Sequence, residues 1–263
     1  MKKLIFYFTS VLIVTFFFSC ENKTDKQKTV NKQQTVFDAY SWEHIFVKDE
    51  QCADEEIHKC THVLLDFPVL KGEQMANANL LVNHYIADVI GYGDAENPAE
   101  VNLEEAANSL VKDFQEFHKE FPDSPQVWHV RLKSKFTYEQ EELLCLMIVS
   151  ETFMGGAHGT LNKRYLTFNL QNGEPVHLID RIADKAAFMI IAERNFRKQK
   201  KLSPIADLEK AGYWFADNKF ALPANIGIDD QGYLLHYNAY EIAPYSMGPT
   251  DIKIGFEELE TAN

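Results

Sequence analysis

The stretch "ELLCLMIVSETF", residues 142–153, constrains the fold more than any other part of the chain. Its unbroken apolar run from Leu143 to Val149 fits a strand that is apolar on both faces. Such a strand must lie inside a sheet that is covered on both sides. It runs directly into "FMGGAHGT", residues 153–160, where three glycines surround one histidine. Upstream, "QVWHVRLKSKFTY" alternates, imperfectly, Trp128, Val130, Leu132 and Phe136 against Val127, His129, Arg131, Lys133 and Lys135, a pattern that favours a half-buried strand. A hairpin at "TYEQE" would join the pair.

The remaining pattern is mixed. "WEHIFVKD" and "HKCTHVLLDFPVL" read as strands, the second stopped at Pro68. Leu80, Leu81, Tyr85, Ile86 and Val89 recur at helical spacing between Gln74 and Ile90, and Gly91 and Gly93 end that helix. Asn102 with Glu105 makes a capping-box-like start to a second helix, whose buried stripe is Leu110, Val111, Phe114 and Phe117. After the glycine loop come a strand, "KRYLTFNL", a hairpin signal at Asn172-Gly173, and "PVHLIDRI". Residues 184–200 read as a helix ending in "RKQKK", and "SPIADLEKAG" as a shorter one. Short strands and turns fill the rest. This is an α+β chain with mixed or antiparallel sheets and flanking helices. Two closely packed subdomains are expected, residues 37–150 and 151–260.

The first residues give an address. Lys2 and Lys3 precede an apolar stretch, Leu4 to Ser19, that closes at "FFSC". Residues 1–19 thus read as a secretory signal, with Cys20 as the lipidated first residue of a lipoprotein. The alternative is an uncleaved anchor, although the stretch is slightly short of the roughly 20 residues that span a bilayer. Residues 20–36, polar and free of aromatics, form a flexible tether. Cleavage removes two lysines and no acid, so 26 basic and 39 acidic residues become 24 and 39, a balance of −15. That acidity argues against nucleic acid and favours encounter with a basic partner. It also suits solubility alone. The chain is expected to be exported and lipid-anchored to the envelope, on its periplasmic or surface face.

Cysteine usage fits an oxidising compartment. Cys52 and Cys60 bracket an acidic, turn-like segment, and a disulfide between them is expected. Cys145, inside the apolar strand, is expected to be a buried, inert thiol.

No catalytic constellation emerges. His58, Cys60 and His62 suggest a metal site only until the segment is read as a strand. There, alternate side chains stand roughly 7 Å apart, too far to converge on one zinc ion. No metal or cofactor is assigned. "GGAHG" lacks a serine on a strand-to-helix elbow, and His158 has no nucleophile beside it. Two motifs remain. One is the loop of Gly155, Gly156, His158 and Gly159. The other is "YNAYEIAPYSMGP", with Tyr237, Tyr240, Glu241, Tyr245 and Gly248. Tyrosines beside turn-forming glycine and proline suit a recognition surface; they also suit a structural turn and the cap of a small core.

"GGAHGTLNKRYLTFNLQNGEPVHLID" followed by "GIDDQGYLLHYNAYEIAPYSMGPTDIKI" resembles the C-terminal half of a paired domain-of-unknown-function family. That family occurs in the extracellular part of a lysozyme-sensing anti-sigma factor, beside the catalytic domain of a peptidoglycan deacetylase, and alone in many lipoproteins. The resemblance covers about residues 41–260 and implies an α+β fold, with the domain named for the family starting near Glu151. It implies neither sigma-factor control nor deacetylation here. The first needs a cytoplasmic segment, and the second a separate metal-dependent domain that would not fit after Leu259. The reading that results is a non-enzymatic envelope module that binds a lysozyme-like basic protein or a peptidoglycan fragment. Its surface would use Tyr237, Tyr240, Glu241 and Tyr245 beside the 155–159 loop. The alternatives are a cell-wall hydrolase with His158 as acid or base, and a structural lipoprotein of an envelope complex.

Overall fold

A computed structural model describes residues 39–50, 59–92, 101–140 and 142–261. The expected signal, the tether, Cys20 and Cys52 lie outside them. Residues 37–263 make up one compact unit that contains all three hydrophobic clusters, so it carries its own core and can fold alone.

Five strands form the larger sheet: β1 (Tyr40–Lys48), β2 (His62–Leu70), β3 (His129–Gln140), β4 (Leu143–Phe153) and β5 (Thr160–Asn169), in spatial order β1-β2-β3-β4-β5. All neighbours are antiparallel except β2 and β3, which run parallel. A parallel pair needs a long crossover. Here it contains helices α1 (Ala76–Ile90) and α2 (Leu103–Glu120). A second sheet of β6 (Ile226–Asp229), β7 (Gly232–Tyr237) and β8 (Thr250–Gly255) follows helix α3 (Lys185–Gln199), and a short α4 (Phe256–Glu260) closes the chain.

β4 explains its own sequence. Leu144, Leu146 and Ile148 are buried in the cluster shared with α1 and α2. Cys145, on the opposite face, is buried with Tyr165, Leu178 and Ile228, where β6 packs over the larger sheet. Both faces are therefore covered, and Cys145 is a free, buried thiol. β6 approaches closely because residue 227 is glycine: a Cβ there would come within 2.3 Å of the Tyr165 ring. β3 is half-buried as its alternation requires, with Val130 and Leu132 fully buried and Lys133 and Lys135 exposed.

Several expected details differ. β2 continues through Pro68 to Leu70. Its pairing with β3 ends at Asp66, and the Leu70 N–H, of the same parity as Pro68, faces away from β1 to the Asn79 side chain. Proline therefore sits where no ladder bond is needed. The β3–β4 turn lies beyond Gln140, which pairs with Leu143, so "TYEQE" is mostly strand, with a bulge between Phe136 and Tyr138. The buried stripe of α1 is Ala78, Val82, Ile86, Ala87 and Ile90, which leaves Leu81 exposed. The Asn172-Gly173 turn forms, with Gly173 at φ 70°, but only Pro175 bridges back to Phe168 before the chain leaves in a 3-10 turn. "SPIADLEKAG" forms turns rather than a helix. The expected subdomain boundary near residue 150 falls inside β4. Two of the three long helices, α2 and α3, have side-chain caps: Asn102 accepts from the Glu104 and Glu105 amides, and Asp184 from Ala187.

Candidate functional site: an aromatic cluster at the β4–β5 and β7–β8 loops

The glycine loop is the β4–β5 connection. β4 ends at Phe153, β5 begins at Thr160, and Gly155 and Gly156 take φ of 94° and 100°, which glycine alone adopts at no cost. The His158 ring is exposed, and its Nδ1 lies 3.0 Å from the Gly159 carbonyl oxygen.

The β7–β8 connection meets it. Tyr245 stacks on His158 with ring centroids 3.8 Å apart and planes at 15°. Its hydroxyl donates to the Gly159 carbonyl at 3.3 Å. Tyr240 lies 6.4 Å from His158 and 5.5 Å from Tyr245, and its hydroxyl is 3.4 Å from His158 Nε2. Tyr240 and Tyr245 remain 56% and 38% exposed. Tyr240 adopts φ 68°, the left-handed region that is unfavourable for a side chain of this kind. The same loops leave Met154 and Met247 exposed, and Trp214, whose amide donates to the Ile242 carbonyl, is 54% exposed.

Two asparagines set this geometry. β5 is the sheet's outer strand, so its edge backbone groups need partners. The Asn238 carboxamide accepts from the Lys163 amide at 2.8 Å and donates to the Lys163 carbonyl at 3.2 Å. Asn225 accepts from the Tyr165 amide at 2.8 Å and donates to the Lys163 carbonyl at 2.7 Å. These side chains act as a surrogate strand and hold the base of the β7–β8 loop against β5. Behind them, buried His236 places Nδ1 2.7 Å from Asp251 and Nε2 3.1 Å from Asn238. Burial pushes the Asp251 carboxyl up. Hydrogen bonds and charge from His236 and Lys163 more than offset this, bringing it down to about 2.

Of the expected site residues, Gly155, Gly156, His158, Tyr240 and Tyr245 come together at the surface. Tyr237 does not. It is 2% exposed, donates to the Ala221 carbonyl and packs against Phe215, because β7 is the central strand of the small sheet. Glu241 is exposed, and its carboxylate accepts from the Asn238 amide at 2.9 Å, closing the turn that carries Tyr240. Asn225 and Asn238 escaped the sequence reading because asparagine in a Gly/Pro-rich segment signals a local turn, not a bond to a distant strand. Among the described residues, the contacts around His158 are two phenols and a backbone carbonyl.

A second polar cluster sits at the start of β2 and β3. His62 is 2% exposed. Its Nε2 accepts from Arg131 Nε at 2.9 Å, so its Nδ1 carries the hydrogen donated to the Cys60 carbonyl at 2.7 Å. His129 stacks on His62 at 5.7 Å. Burial, and then the Arg131 charge, lowers the His129 pKa; burial likewise leads the lowering at His62. Cys60 is disulfide-bonded, and its expected partner, Cys52, lies outside the described residues, as does His58. Among the described residues no group of three His, Cys, Asp or Glu side chains is arranged to hold a metal ion, and no helix is long and apolar enough to cross a membrane.

Residues 54–160 match the family model "Deacetylase PdaC", and residues 178–257 match "Protein of unknown function (DUF3298)". The chain pairs a PdaC segment with a DUF3298 segment. This is the paired arrangement that the two quoted motifs resemble, and it marks a cell-envelope-related protein. The crystal structure of a DUF3298 family member from Bacteroides fragilis is similar, with TM-score 0.60 and 24% identity over 84% of this chain and 92% of that one. A DUF3298 family protein from Pseudomonas aeruginosa gives TM-score 0.55 and 21% identity over the same shares. These likenesses establish the fold. The comparison with curated proteins returns no match.

Proposed function

We propose that the chain is a lipid-anchored envelope protein, attached through Cys20, that binds a wall-associated partner through His158, Tyr240 and Tyr245. The observation that carries this reading is the cluster itself. Three exposed rings from segments about eighty residues apart lie within 6.4 Å of one another, both tyrosines stacked on His158, and one is held in a left-handed backbone conformation. Non-glycine residues in unfavourable backbone regions concentrate at functional sites, and rigid aromatic rings with exposed methionines are typical of binding surfaces. The acidity of the chain favours a basic protein partner of the lysozyme kind over an anionic peptidoglycan fragment.

The test is binding of residues 37–263 to immobilised lysozyme and to purified muropeptides at two salt concentrations. Lysozyme binding that weakens with salt and falls at least about tenfold in Tyr240→Ala/Tyr245→Ala, a loss typical of interface hot spots, is the expected result. Unchanged affinity in a folded double mutant removes the cluster from the interface. Muropeptide binding that the double mutant loses moves the partner to the glycan.

A further inference from the structure

A cleft beside the Asn225 and Asn238 bonds to β5 carries an unassigned cation. A cavity of about 740 Å³ runs along the β5 edge, between the segments 175–180 and 222–226, with Leu81 of α1 at its rim. A second hollow of about 500 Å³ continues it between α1 and β5. Leu81, Arg164 and Leu166 line both. The larger hollow has the size of a small-molecule site, and Leu166, Phe168, Leu178 and Pro223 make its wall largely apolar. Leu81 is 38% exposed there, although its helical spacing belongs with buried residues.

The Arg164 side chain is half-buried and forms no ion pair or hydrogen bond with the described residues; its charge acts on the Tyr85 phenol, which also lines the smaller hollow. In a chain with 39 acidic residues this is not for want of carboxylates. The two acids of the cleft are already engaged: Asp180 accepts from Lys185 at 2.9 Å, and Asp88 lies 3.4 Å from His84. Lys163, the other cation of the smaller hollow, is paired with Asp251 at 2.7 Å. His177 borders the larger hollow beside Asp180. A second polar group is unanswered: Thr167, 5% exposed and in the cavity wall, has a buried hydroxyl with no partner. A guanidinium presents a fork of donors matched to a carboxylate, and the apolar wall would receive the rest of such a ligand.

We propose that this cleft binds a free amphiphilic carboxylate, its head on Arg164 and its apolar body along the β5 edge. The test uses residues 37–263 and dodecanoate below its micelle threshold, with dodecanol as the neutral control, followed by titration calorimetry. One equivalent of dodecanoate is expected to bind, with dodecanol at least about tenfold weaker, as for loss of a charge-assisted hydrogen bond. Arg164→Gln should remove that difference, and Leu81→Gln should weaken both ligands. Tyr240→Ala/Tyr245→Ala should leave both unchanged, which separates this cleft from the aromatic cluster. Absence of saturable binding, equal affinity for acid and alcohol, or an Arg164→Gln protein that retains the preference overturns the proposal.

Discussion

Two tyrosines three residues apart are expected to respond in opposite ways to substitution. Tyr240 sits at φ 68°, a conformation that costs a residue with a Cβ roughly 1–2 kcal/mol. Tyr240→Gly relieves that cost. It gives back roughly 0.5–1 kcal/mol through the greater freedom of the unfolded glycine chain. It also loses ring contacts with His158 and Tyr245, worth at most about 0.5–1.5 kcal/mol in total; with the side chain 56% exposed, the lower end applies. These terms cancel to within about 1 kcal/mol. Tyr237→Ala removes a 2% exposed ring, at about 3–5 kcal/mol for an aromatic truncation. It also strands the Ala221 carbonyl that the hydroxyl satisfies, for about 1 kcal/mol or more. Urea unfolding of residues 37–263, followed by circular dichroism, reads both as shifts in midpoint at constant slope. Partner binding should be lost in Tyr240→Gly with stability retained. A loss above about 2 kcal/mol in Tyr240→Gly, or below that in Tyr237→Ala, would refute the assignment of one ring to recognition and the other to the core.

Asn225→Ala leaves the Tyr165 amide without an acceptor and takes one of two donors from the Lys163 carbonyl. A loss of about 2–4 kcal/mol is expected, with faster hydrogen exchange at the Tyr165 amide; a protected Tyr165 amide in the variant would show that β5 finds another partner. His62 and His129 both have lowered pKa values. The unfolded chain therefore binds more protons than the folded one just below the unfolded histidine value of about 6.5. Their contribution is complete above that pH and is lost as pH falls through the lowered folded values. Stability should drop between pH 7 and 5, and His62→Gln should flatten that slope. Asp251 does not interfere: its lowered pKa contributes stability that is present above the unfolded value of about 3.9 and is lost only as pH falls below it, outside this window.

Local period and local capping were legible. The alternation of β3, the two-faced run of β4, the Asn102 cap and the glycine turn after Phe153 each depend on neighbours within a few residues, and each is found where the sequence places it. The α1 stripe was misplaced because Leu80 and Leu81 outweigh Ala78 in hydrophobicity, yet at that contact the small Ala78 is the fully buried residue. Pro68 misled because its acceptability depends on where the pairing with β3 stops, a property of another strand.

The same distinction decides the site. In β7, alternation should put His236 and Tyr237 on opposite faces, one of them wet. Both are 2% exposed, because one face meets the Asn238–Asp251 network and the other the cluster around Phe215. Nothing in "LLHYNAY" distinguishes Tyr237 from Tyr240 by composition. What separates them is that the strand ends at Tyr237, Asn238 turns back to bond β5, and Glu241 closes the turn on the Asn238 amide. Tyr240 is thereby lifted out of the core and set beside His158. The exposed cluster therefore depends on the asparagine bonds to β5. Asn238→Ala should disperse the three rings and cost partner affinity even though it touches none of them directly, whereas a cluster assembled by stacking alone would survive it.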